Sequence, residues 1–263
     1  MDSVGDARAA ELAPGTRGRG EAVAWAAALL FAFLPVLTDL VRHQLETPWA
    51  RYAAIFPLLA LRCAWHERGA RRPLRRDAPL WIVAGLAILL GGIVMGRVRW
   101  GRVGAALAAI GWCRRFALCG WRTQLLILFA VPIPAAAMRL AWPLARQLGA
   151  FALALGARLG IEVEPVLSSR YGNGLPLAAL LAGLSWYASL LRARPARAAL
   201  LRAAFAALLA FPLQVLATLA AAVAAPWLGL RAARAALSQA PWLAATLIGV
   251  GVAERGGRPA AAR

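Results

Sequence analysis

The sequence predicts an all-α, polytopic transmembrane helical bundle with about eight spans and both termini on the cytoplasmic side. Three observations predict it. The chain is 62% hydrophobic over 263 residues, above the roughly 45–50% of a soluble domain. Its mean hydropathy is +0.65. The apolar residues fall in long blocks separated by arginine clusters, a pattern for which lipid is the natural solvent.

A net charge of +19 would suggest nucleic acid in a soluble protein. Here all 30 basic residues are arginine, and they sit between apolar blocks rather than along one stripe. That placement favours a membrane rim over a nucleic-acid face, so no nucleic-acid partner is expected.

A spanning helix needs roughly 20 apolar residues. Residues 22–41 meet this as the first span, after a polar tail (1–21) expected to be a disordered cytoplasmic segment. The apolar run is long for a signal-peptide core, so it reads as an uncleaved anchor. Residues 50–64 form a shorter block, spanning or re-entrant. Blocks 79–96, 103–113, 123–138, 174–191, 203–227 and 240–253 complete the eight, the fourth reaching full length only with Arg114 and Arg115 at an interface. The membrane domain is thus 22–253, and 254–263 is a second cytoplasmic tail. With the N-terminus inside, 19 of the 30 arginines fall on the inner side. That bias fits the positive-inside rule and an even number of spans. Trp25, Trp49, Trp65, Trp81, Trp100, Trp121, Trp142, Trp227 and Trp242 lie near proposed span ends, where indole rings favour the headgroup level. The expected location is the cell inner membrane, multi-pass.

Between the fifth and sixth spans, Arg139 and Arg146 are seven apart and share a helical face. A helix there can lie in the interface or tilt against the bundle. Glu162, Glu164, Ser168, Ser169 and Arg170 follow it on the outer side.

Three stretches resemble the exosortase/archaeosortase family, multi-spanning enzymes of PEP-CTERM-type protein sorting. Trp49-Ala-Arg-Tyr52 through Phe56-Pro57-Leu58, with Trp65 and the basic run 68–76, resembles the family's early short hydrophobic segment and its basic loop. Leu128-Phe-Ala-Val-Pro132-Ile-Pro134 resembles its Phe-x-x-Pro-x-Pro. The helix 140–159 ending in Gly160-Ile-Glu-Val resembles the approach to its active site. The likeness covers about residues 34–166. The family's cysteine lies in Ala-Cys-Ser-Gly; here the place reads Glu164-Pro-Val-Leu-Ser168-Ser-Arg170-Tyr-Gly-Asn-Gly. Its arginine follows a run matched by Phe211-Pro212-Leu-Gln-Val-Leu-Ala217-Thr218, where Ala220 and Ala221 now stand. Its histidine opens the last span, where Leu237-Ser-Gln-Ala-Pro-Trp242 holds none. The resemblance therefore implies a pseudoenzyme. It would be a non-catalytic member or accessory of a C-terminal-signal protein-sorting or exopolysaccharide system. Its partners would be the lipid bilayer and a catalytic exosortase or C-terminally tagged exported proteins. The alternatives are an active membrane transpeptidase or protease with an atypical nucleophile, and a small-solute or lipid transporter.

A cysteine transpeptidase needs a thiolate, a base and a cation for the oxyanion. Cys113 and Cys119 belong to the cytoplasmic side; six apart on a helix, they would face different ways. With Cys63 they read as small apolar fillers. His43 and His66 read as solvated surface residues. Ser169 beside Arg170 is the one outward nucleophile-like pair, against the simpler reading of a polar turn. Asp39 pairs with Arg42, three residues on. Gln214 and Thr218 share a face in an apolar span, suited to hydrogen bonding between helices. No metal-ligand spacing and no cofactor motif occurs.

Overall fold

The computed structural model describes residues 16–67, 77–133, 142–163 and 174–256. Those residues are all-helical, with nine α-helices and two short 3₁₀ segments among them. They fall into two compact units, one of residues 1–40 and 69–119, the other of 41–68 and 120–263.

In the first unit, α1 (Thr16–Glu46) contributes its N-terminal part. It begins six residues inside the expected tail, and residues 1–15 lie outside those described. Residues 22–38 of α1 hold no ionisable side chain. Helix α3 (Ala78–Val94) starts after Asp77 with Pro79 in its first turn, where proline costs no hydrogen bond. It ends before Gly96, whose φ of +62° stops the helix. Helix α4 (Gly101–Arg115) packs back along α3. The two backbones touch at Gly85 and Gly104, where a Cβ on either would stand 2.5 Å from the other's carbonyl oxygen. Such small-residue contacts bring helices together by dispersion alone.

In the second unit, Pro48–Ala54 is 3₁₀ and α2 (Ile55–His66) follows directly. The expected block 50–64 is helical throughout, 3₁₀ as far as Ala54 and α from Ile55 on. Its α-helical part has 12 residues, about 18 Å of rise. Helix α5 (Trp121–Phe129) is shorter still at 9 residues, because Pro132 and Pro134 follow and the residue before a proline is pushed out of the helical region. The expected helix 123–138 thus ends early, and residues 134–141 lie outside those described. Helix α6 (Trp142–Arg158) falls where a helix is expected after Arg139, and Arg146 lies over the Trp142 ring at 6.0 Å. Helix α7 (Leu175–Leu191) starts from Gly174 at φ +64°. Helices α8 (Ala196–Leu228) and α9 (Leu230–Gly256) are the two long helices that close the unit. Gly229, at φ +80°, separates them.

Helices α7, α8 and α9 pack on one another, and α2 and α5 add to them through a core of Tyr187, Phe56, Leu126 and Leu180. A second cluster joins α6 to the far half of α8 and the start of α9 through Ala152, Val163, Leu219, Ala222 and Leu237. Two helices are long and apolar enough to cross a membrane, residues 20–46 and 196–228, with mean hydropathies of 2.0 and 2.1 over an 18-residue stretch of each. Ala78–Val94 and Leu175–Leu191 are shorter apolar helices.

Candidate functional site

Two of the stretches that carry the family resemblance meet in the second unit. The Ile133 N–H donates to the Tyr52 hydroxyl at 3.2 Å. The Phe56 and Phe129 rings lie 5.4 Å apart, tilted by 37°. Gly183 of α7 leaves room beneath both rings. At the other end of the same helices, Glu67 accepts the Gly120 N–H at 2.7 Å and the Thr123 hydroxyl at 2.5 Å. A carboxylate there satisfies a first-turn donor of α5 and complements its helix dipole. The Trp186 indole N–H donates to the Arg122 carbonyl at 2.9 Å.

Beside this core lies a cavity of about 720 Å³ between α7, α8 and α9. Helix α8 supplies Leu213, Leu216, Ala217, Ala220, Ala221 and Ala224, and α9 supplies Ala236, Leu237, Ala245, Ile248 and Gly249. Leu177 and Leu181 of α7 complete the wall. The spacing 213, 217, 220, 224 is the i, i+4, i+7 repeat that keeps residues on one helical face. Three of those four residues are alanine, so the face is low and leaves space. Leu177, Ala221 and Leu237 are buried and form the floor, while Leu213, Leu216 and Ile248 are exposed at the mouth. The positions where the resemblance puts an arginine, Ala220 and Ala221, and the start of the stretch where it puts a histidine, Leu237, are all on this wall. Every lining residue is Leu, Ile, Ala or Gly. Such a wall offers no nucleophile, base or oxyanion donor; it takes up apolar groups by excluding water.

The other candidate residues are distributed as follows. Ser169 and Arg170, with Glu164, lie outside the described residues. Glu162 is exposed. Asp39 does not pair with Arg42; it accepts two hydrogen bonds from Arg102, at 3.0 Å from Nε and 2.7 Å from Nη2. Arg42 pairs instead with Glu46, one turn further, at 3.3 Å. The buried Arg102 guanidinium needs a counter-charge, and the Asp39 Oδ2 supplies it across the interface of α1 and α4, accepting from both nitrogens. At the opposite end of the same unit, Arg115 pairs with Glu21 at 2.7 Å and Arg114 pairs with Asp77.

The three cysteines are buried and reduced. Cys113 and Cys119 do not sit on one helix. Helix α4 ends at Arg115, Ala117 takes φ +50°, and the turn brings Cys119 back to hydrogen-bond with Cys113. His43 and His66 occupy the last turns of α1 and α2, and His43 Nδ1 lies 3.1 Å from the Thr47 hydroxyl. Gln214 and Thr218 are both buried, but the Thr218 hydroxyl turns back to the Gln214 carbonyl at 2.9 Å within α8. Among the described residues, no group of His, Cys, Asp and Glu is arranged to hold a metal ion.

No protein-family model, no curated protein and no solved structure matches the chain.

The sequence signalled the cavity only indirectly. The alanine spacing on α8 was visible, but α9 residues 236, 245, 248 and 249 carry no comparable mark.

Proposed function

We propose that the chain is a multi-pass integral membrane protein of exosortase-like architecture, resident in a cell inner membrane. It works without transpeptidase chemistry, as an accessory in a C-terminal-signal protein-sorting or exopolysaccharide system. The observation that carries this reading is the cavity wall. The positions where the resemblance would put an arginine, and the first residue of the stretch where it would put a histidine, border one pocket, and that pocket presents only aliphatic side chains. A thiol could not be activated by such neighbours.

Membrane residence is supported separately. Phe31 of α1 and Leu201, Phe205 and Leu208 of α8 are exposed. Apolar surface of that extent on long helices is stable in lipid and costly in water. In the first unit, the uncharged stretch 22–38 of α1 is bracketed by Glu21–Arg115 and Asp39–Arg102. From Glu21 to Asp39 the helix rises about 27 Å, close to the hydrocarbon thickness of a bilayer. Exposed Trp227, Trp65 and Trp142 stand at helix ends, as headgroup-level indoles do.

The test is a pull-down from native membranes. The tagged chain should co-purify with a catalytic exosortase or with C-terminally tailed exported proteins. Absence of both would remove the accessory role. Cleavage of a tailed substrate by the purified wild type, lost in Ser169→Ala, would replace it with an atypical active enzyme. Solute uptake by the chain in proteoliposomes would replace it with a transporter.

A further inference from the structure

The cavity is long as well as apolar. Its wall runs from Leu213 to Ala224 on α8, about 16 Å of rise, and from Ala236 to Gly249 on α9, about 20 Å. An apolar cavity of about 150 Å³ already takes up benzene, and this one measures about 720 Å³. A narrow aliphatic groove of that length suits an alkyl chain lying along the helix axes.

The corner between α8 and α9 supplies a polar end. Arg231 stands in the first turn of α9, five residues before Ala236 on the cavity wall, about 7.5 Å along the axis. Arg231 is exposed, and among the described residues no carboxylate pairs with it. Trp227, 87% exposed, closes α8 at the same corner. A cation and an indole beside the end of an apolar groove match a phosphate headgroup above its acyl chain.

The geometry points to a bound lipid: the α7–α8–α9 groove holds one acyl chain of an anionic phospholipid, with the phosphate at Arg231. This rests on the membrane reading above, and it adds a ligand to the place where the resemblance puts catalytic residues. The lipid fills space left by Ala220 and Ala221, so it takes a packing role that side chains would otherwise fill.

The experiment is native mass spectrometry of the full chain purified in mild detergent. The probes are dioleoylphosphatidylglycerol and dioleoylphosphatidylcholine. Recovery from carbonate-washed membranes is scored first. A chain absent from them removes the membrane reading and this one together; a membrane-borne chain that retains no lipid removes this one alone. The wild type should retain one phosphatidylglycerol more firmly than phosphatidylcholine. Ala220→Phe and Ala236→Phe fill the groove from opposite walls, and either should cut the occupancy of both lipids at least tenfold with helicity by circular dichroism unchanged. Two variants on different helices guard against a single misfolded one. Arg231→Gln should weaken phosphatidylglycerol about fivefold and leave phosphatidylcholine unchanged. Undiminished lipid in both phenylalanine variants would overturn the proposal, as would equal retention of the two lipids by the wild type. A co-purifying polypeptide in place of the lipid would overturn it as well.

Discussion

Asp39 and Arg102 should respond unequally to removal of either partner. The Arg102 side chain is 7% exposed and that of Asp39 37%. Asp39→Asn leaves a buried guanidinium without its counter-charge. Breaking a buried pair in this way costs about 3–5 kcal/mol, and a place near a helix end puts the expected loss at about 3 kcal/mol. Arg102→Met leaves a carboxylate that is already one-third open and refills the arginine's volume with a flexible apolar chain. Its cost should be about 1 kcal/mol. The double variant removes both charges and should also lose about 1 kcal/mol, so the singles fail to add by about 3 kcal/mol. The assay is a double-mutant cycle of unfolding in mixed micelles, titrated with a denaturing detergent and followed by far-ultraviolet circular dichroism. Equal losses for the two single variants, or additivity within about 0.5 kcal/mol, would refute the reasoning.

Other expected outcomes follow from single contacts. Gly85→Leu forces apart two backbones in contact and should destabilise the α3–α4 hairpin by about 1–3 kcal/mol, read in the same titration; a neutral result would place the helices further apart. Glu67→Ala removes the acceptor for Gly120 and Thr123 and should cost about 1–2 kcal/mol, with faster amide exchange across 120–124 and none elsewhere. Tyr52→Phe deletes the acceptor for the Ile133 N–H and should cost about 1 kcal/mol, with loss of exchange protection at Ile133 as the specific sign. Trp186→Phe keeps the apolar ring but loses the donor to the Arg122 carbonyl, for about 1 kcal/mol, measured by thermal unfolding in detergent.

Much of the helical pattern was legible because apolar blocks and prolines act locally. The blocks 79–96 and 174–191 closely match an observed helix, and 203–227 lies within one that starts seven residues earlier, at Ala196. The helix after Arg139 was legible for the same reason. Other features depend on neighbours distant in sequence. The 3₁₀ start of the 50–64 block comes with a Tyr52 hydroxyl committed to Ile133, 81 residues away. Asp39 looked suited to Arg42 because a three-residue spacing is visible in any sequence; its real partner lies on another helix. Cys113 and Cys119 were judged by helical spacing, and the left-handed Ala117 that ends the spacing carries no glycine or asparagine signature. A cavity is a gap, so residues around it resemble any packed apolar face. The alanine spacing at 217, 220 and 224 is the mark it leaves in the sequence.

The Asp39–Arg102 pair also sets a delay during synthesis. Its partners are separated by 63 positions. A ribosome adding about 5–20 residues per second makes the acid wait roughly 3 to 13 s for its base. Through that interval α1 must carry an unaccompanied carboxylate. A site one turn or two from the helix end keeps it within reach of water, so the first helix can settle before its counter-charge has been made.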